Sequence, residues 1–164
     1  MRDLALSLAL AGLVLAAPLA AKDSLGVYGA WGAFRDASVP RCYAIATPIP
    51  DRGATNREAY ASIGTWPEQR VRGQVYLRLS REAPSGAATL SIGRQRFALT
   101  AKGSGAWAKD ARMDAAIVAA MRSAESMTVR SRDASGRLYA ATYELSGAAS
   151  ALDAATLACA RPRR

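Results

Sequence analysis

Cys42 and Cys159 are the only thiols in a chain of 164 residues. Thiols can bind metal, act as nucleophiles or pair, and each use needs different company. A zinc site takes four ligands, and two thiolates alone do not make one. A Cys–His or Ser–His nucleophile needs an imidazole, yet the chain has no histidine. The same absence removes histidine as general base or metal ligand. Lysine occurs only at positions 22, 102 and 109, with no Ser-x-x-Lys motif. There is no Walker loop and no GxGxxG, and Gly103-Ser104-Gly105 is too short to cradle a phosphate. Asp110 and Asp114 stand four residues apart, so they could project from one helix end as an acid–base pair; a helix cap explains them more cheaply. These residues predict no enzyme, cofactor or metal. A hydrolase using carboxylates alone remains the alternative.

The aromatic residues pose a second chemical question. Trp31, Phe34, Tyr43, Trp66 and Trp107 could form a ligand platform, with Trp66 before Pro67 and Trp107 beside a glycine-containing loop. Packing inside a small β-rich domain competes with that reading. A small-ligand-binding β domain would need Trp66 or Trp107 to line a concave apolar pocket. Trp66, Trp107 and the basic tail Arg161, Arg163 and Arg164 are the candidate binding surface.

These groups need elements to hold them. Gln74 to Ser80 alternates, with Val75, Leu77 and Leu79 on one face, the period of a half-buried strand. Residues 89–92 and 96–100 repeat it around Gly93 and predict a hairpin. Residues 42–46 and 60–65 also read as strands, and Pro48 to Glu58 between them as a surface loop. Ala83 to Ala87 reads as a turn, and Lys102 to Ala108 as a loop. Asp110 then caps a helix whose stripe is Met113, Ile117, Met121 and Ala124. Met127 and Val129 resume strand alternation, a turn follows at 132–136, and Tyr139 to Leu145 returns. A last helix begins near Ser146–Gly147 and puts Ala148, Leu152 and Cys159 on one face. Residues 88–124 and 126–160 thus share one order: strand, turn, strand, helix. The fold expected is mainly β (α+β): a compact antiparallel β-sandwich or barrel-like domain with two helices. The last helix is tethered by a Cys42–Cys159 disulfide.

That tether depends on compartment. Residues 1–21 read as a secretory signal: Arg2, an apolar run from Leu4 to Leu15, then small residues through Ala21. Cleavage after Ala21 is the first choice and after Ala17 the second. A retained anchor competes, but the run is short for a span and contains Pro18. The remainder, 22–164, is one domain in size, with no further membrane-spanning segment. Export to the periplasm or outer envelope would let a disulfide persist, and two otherwise unpaired thiols would form it; two unrelated buried thiols are the alternative. Net charge is +9, and nineteen of the 22 basic residues are arginine. The charge could mean attraction to an anionic envelope component, with no specific nucleic acid. A compositional origin is the favoured reading, because the arginines are dispersed except at the tail. Nothing here sets the partner or the oligomeric state.

The ordered landmarks also carry a resemblance. Trp31 precedes Arg41-Cys42-Tyr43-Ala44-Ile45-Ala46-Thr47-Pro48. Ile92-Gly93, Phe97-Ala98-Leu99 and Ala106-Trp107-Ala108 follow. Asp114-Ala115-Ala116-Ile117-Val118, Met127-Thr128-Val129, Thr142-Tyr143-Glu144-Leu145-Ser146-Gly147 and Cys159 complete the series. Over roughly residues 31–159 the chain resembles the invasion-associated locus B family of exported alphaproteobacterial proteins. The resemblance implies a β-rich envelope domain with a C-terminal helix and no established catalytic site. It also implies a possible tie to host-cell entry, the role behind the family's name.

Overall fold

The computed structural model describes residues 22–36, 38–50, 58–84, 86 and 88–160. The expected signal at 1–21, most of the 48–58 loop and the tail arginines Arg161, Arg163 and Arg164 lie outside the described residues. Among the described residues, nine strands and two α-helices follow in order. The strands are β1 Asp23–Tyr28, β2 Trp31–Asp36, β3 Arg41–Ala46, β4 Tyr60–Trp66 and β5 Val71–Ala83, then β6 Ala88–Ile92, β7 Gln95–Trp107, β8 Ser126–Arg132 and β9 Leu138–Glu144. Helix α1, Ala111–Met121, joins β7 to β8, and α2, Ala148–Ala160, follows β9.

All neighbouring strands pair antiparallel, in the order β1-β2-β3-β4-β5-β7-β6-β8-β9. The two 13-residue strands join two halves. Strand β7 pairs with β6 through Gln95–Leu99 and with β5 through Gly103–Trp107. The sheet bends so that its two ends approach, but no ladder joins β1 to β9. The ends are linked by Ala30 N–H donating to Ser146 O (3.1 Å) and the Trp31 indole N–H to Glu144 O (2.8 Å), and Ile49 N–H, after β3, donates to Thr142 O on β9 (2.7 Å). The domain is therefore not the closed barrel that the barrel-like expectation allowed.

Both halves and both helices enclose one core, whose largest fully buried side chains include Trp31, Tyr143, Leu77, Leu90, Ile92, Ile117 and Met121. Burying each such Leu, Ile or Met is worth about 1.5–3 kcal/mol. Under α2 the residues are small. Ala33, Ala44 and Ala61 on the strands, with Ala148, Ala151 and Ala155 on the helix, are all buried. Small side chains on both surfaces let helix and sheet approach closely. The junction before α2 is tighter still. Gly147 (φ +81°) and Gly29 (φ +54°) both have left-handed backbone, and a Cβ on Gly147 would overlap Tyr28 O. Only glycine fits there without displacing backbone.

The strands expected from alternation are present, and the order strand, strand, helix recurs as β6-β7-α1 and β8-β9-α2. Three expectations need correction. Strands β1 and β2 were not anticipated. Lys102 to Ala108 is not a loop: the segment to Trp107 is the second half of β7, stabilised by the edge that β5 offers it. Helix α1 ends at Met121 rather than Ala124.

Candidate binding surface

Cys42 lies fully buried on β3, and Cys159 lies near the end of α2; their sulfurs are bonded and their Cα atoms are 5.8 Å apart. The pairing arises because β3 turns Cys42, Ala44 and Ala46 to the core while α2 points Ala148, Leu152 and Cys159 the same way. No free thiol remains.

The opposite face of β2, β3, β4, β5 and β7 is aromatic. The register aligns Phe34 with Tyr43, Tyr43 with Gly64, Ser62 with Tyr76 and Tyr76 with Trp107. Phe34 and Tyr43 stack at 5.7 Å, the Arg41 guanidinium lies 4.8 Å from the Tyr43 ring centre, and Tyr60 and Tyr76 are 5.8 Å apart. Three rings lean back over a glycine two residues earlier. A Cβ at Gly32 would meet Phe34 at 2.8 Å, one at Gly64 would meet Trp66 at 2.5 Å, and one at Gly105 would meet Trp107 at 2.9 Å. Such covering of strand glycines by aromatics supports the sheet. Trp66 and Trp107 are each partly exposed on this face, with β5 between their strands. Trp31 does not belong to any platform, since it is buried on the core side.

Three aspartates are engaged structurally. Asp110 caps α1, accepting from Met113 N–H at 2.8 Å. Asp114 accepts from the buried Val75 N–H at 2.8 Å. Residue 75 lies just before Tyr76, the first β5 residue paired with β7, so Asp114 takes the place of the missing strand. Burial raises its pKa, and the neighbouring Asp110 charge adds to this while the Val75 bond opposes it. Asp133 accepts from Ser135 N–H and Oγ–H, Arg137 N–H and the Arg81 guanidinium. The Ser135 hydroxyl leads in holding its pKa well below the usual carboxylate range, with the Arg137 amide and Arg81 assisting. The proposed acid–base pair thus divides into a cap and a strand-edge acceptor. Among the described residues, no three His, Cys, Asp or Glu side chains could together hold a metal.

Where charge gathers was not apparent from the chain. Arg35, Arg41, Arg78, Arg81, Arg122 and Arg137 have carboxylate partners. Arg94, Arg96, Arg130 and Arg132 have none among the described residues, and all four are exposed. Arg96 and Arg130 flank β6 on one sheet face, since β6 pairs Ser91 with both Arg96 and Thr128, and Thr89 with Arg130. Arg132 continues the outward face of β8, and Arg94 sits in the β6–β7 turn. Around them are the outward hydroxyls of Thr89, Ser91, Thr128 and Thr142, the last two 3.0 Å apart. The only sequence signal was alternation: Arg130 and Arg132 occupy outward positions beside inward Met127 and Val129. A groove of about 680 Å³ opens at this end, between the β6–β7 turn and the α1–β8 connection.

No helix among the described residues is long and apolar enough to cross a membrane. The family model described as "Invasion associated locus B (IalB) protein" matches residues 33–156. No curated protein and no solved structure matches the chain.

Proposed function

The chain belongs to the invasion-associated locus B family, and from that premise we propose an exported, non-enzymatic envelope protein that binds an anionic envelope component through its basic sheet face. The observation that carries the reading is the placement of Arg96, Arg130 and Arg132, without ion-pair partners among the described residues, on strands flanking β6, with Arg94 in the β6–β7 turn. A dispersed charge in the chain becomes a local one in the fold, and a local positive field attracts anionic surfaces. Export is supported by the leader-like residues 1–21 and by the Cys42–Cys159 bond, which suits an oxidising compartment. The engaged states of Asp110, Asp114 and Asp133 support a non-enzymatic role. A host-cell contribution, suggested by the family's name, would act through the same face.

The test is co-sedimentation of the disulfide-bonded protein with anionic and zwitterionic vesicles. Binding should be selective for the anionic vesicles and fall steeply between low and moderate salt. Charge reversal at Arg96 and Arg132 should weaken it. Binding that ignores salt, or survives that reversal unchanged, refutes the assignment of this face. Cell fractionation should place the mature protein outside the cytoplasm.

A further inference from the structure

We propose that the groove beside the β6–β7 turn is a subsite for a sugar bearing a single acidic group. This deepens the reading above by assigning a ligand class to one end of the basic face. The groove's volume, about 680 Å³, is within the roughly 300–1,000 Å³ usual for small-ligand sites. Arg94 lines it from the β6–β7 turn and Arg130 from β8, and neither has an ion-pair partner among the described residues. Guanidinium forks bind carboxylate and phosphate through paired N–H donors. Ser91, Thr128 and Gln95 provide groups that both donate and accept, as sugar hydroxyls do. Glu125, in the α1–β8 connection, can accept hydroxyl hydrogen bonds and repel a second anionic group.

The lining also discriminates between ligand classes. No aromatic side chain lines the groove, so a nucleobase would find no ring to stack on. Its surface is mainly polar, with Ile92 and Ala120 among the few apolar contributors, so an acyl chain would gain little by burial. An extended polyanion would meet Glu125. One anionic group at Arg94 and Arg130, with hydroxyls directed toward Gln95, Thr128 and Glu125, satisfies each of these constraints. A uronic acid and a sugar phosphate share this chemistry.

The experiment titrates the disulfide-bonded protein with galacturonate monosaccharide, glucose 6-phosphate, neutral maltotriose and inorganic phosphate, followed by amide chemical shifts. At least one acidic sugar should shift residues 91–95 and 126–130, and its carboxylate or phosphate identifies the source. Maltotriose and inorganic phosphate should bind at least about tenfold more weakly, since each lacks one half of the recognition. Arg94→Gln with Arg130→Gln should abolish the response, while Arg70→Gln with Arg72→Gln should leave it intact. Equal binding of maltotriose or inorganic phosphate, no response to either acidic sugar, or full binding by the Arg94/Arg130 variant overturns the proposal. Anionic-vesicle binding retained by that variant alongside lost sugar binding would locate the two interactions separately. Sugar binding without vesicle binding would leave the groove standing and remove the wider reading.

Discussion

Reducing the Cys42–Cys159 bond should cost this domain much of its stability. The bond closes a separation of 117 residues, for which the chain-entropy relation gives about 4.9 kcal/mol at 25 °C. Native bridges of small exported domains typically measure about 2–5 kcal/mol, so the relation sets the upper end. At about 3–4 °C per kcal/mol for a domain of this size, the upper end lowers the melting temperature by about 15–20 °C. Reduction tests this better than mutation, because Cys42 is fully buried and replacing it with Ala would also remove core packing. The assay is guanidinium unfolding with and without dithiothreitol, with alkylation and mass analysis confirming the thiol state. The midpoint should fall, and the denaturant slope should rise as the unlinked unfolded chain expands. Coincident curves from verified oxidised and reduced protein would refute the argument that this link constrains the unfolded chain.

Asp114→Ala should lose about 1–3 kcal/mol by stranding the buried Val75 N–H. Asp114→Asn retains an acceptor and should match or exceed the wild type at pH 7. Because burial raises the carboxyl pKa in the fold, the penalty is absent at low pH and grows as pH rises through the folded value. Thermal melts at pH 3 and pH 7 should therefore show the Asn variant gaining on the wild type. For Asp133 the sign is opposite: its folded pKa is depressed, so its contribution is present above the ordinary carboxylate pKa and fades as pH falls toward the folded value. Asp133→Asn should be less stable than wild type at pH 7, and urea unfolding should show the gap narrowing by pH 3; a constant gap would count against the charged role. The Tyr143 hydroxyl is buried without a partner, so Tyr143→Phe should leave stability unchanged or raise it by about 1 kcal/mol in urea titrations. A clear loss would mean the hydroxyl is bonded.

The strands easiest to read from sequence were those whose alternation matches a half-buried sheet. Val75, Leu77 and Leu79, like Leu90 and Ile92, face the core as their spacing implies. Helix α1 was legible from its cap and stripe, and α2 from the shared face that ends at Cys159. Strands β1 and β2 were hidden because their glycines break the pattern. Gly32 sits beneath Phe34, so the ring supplies surface the glycine lacks. Lys102-Gly103-Ser104-Gly105 has loop composition, and its strand conformation comes from pairing with β5, a tertiary contact that overrides local preference. The basic face was illegible for another reason. Arg94 and Arg96 are more than thirty positions from Arg130, and only β6, pairing on both sides, brings them together. Trp66 and Trp107 do share a face, but the groove opens on the other half of the sheet.

The seam between the sheet's ends has a consequence for the order of assembly. Trp31 bonds to Glu144, Ala30 to Ser146, Gly29 abuts Ser146, and Cys42 must wait for Cys159. A chain delivered from its N-terminus exposes the first half of each pair more than a hundred residues before the second. Contacts so distant in sequence make folding slow, and here they also postpone completion until the last helix arrives. Until then the Trp31 indole lacks its Glu144 acceptor and Cys42 remains an unpaired, oxidisable thiol. Under the export proposed above, threading through a membrane pore would benefit from that delay, because a segment still lacking its partners stays loose enough to pass. The final helix acts as a timer as well as a clasp.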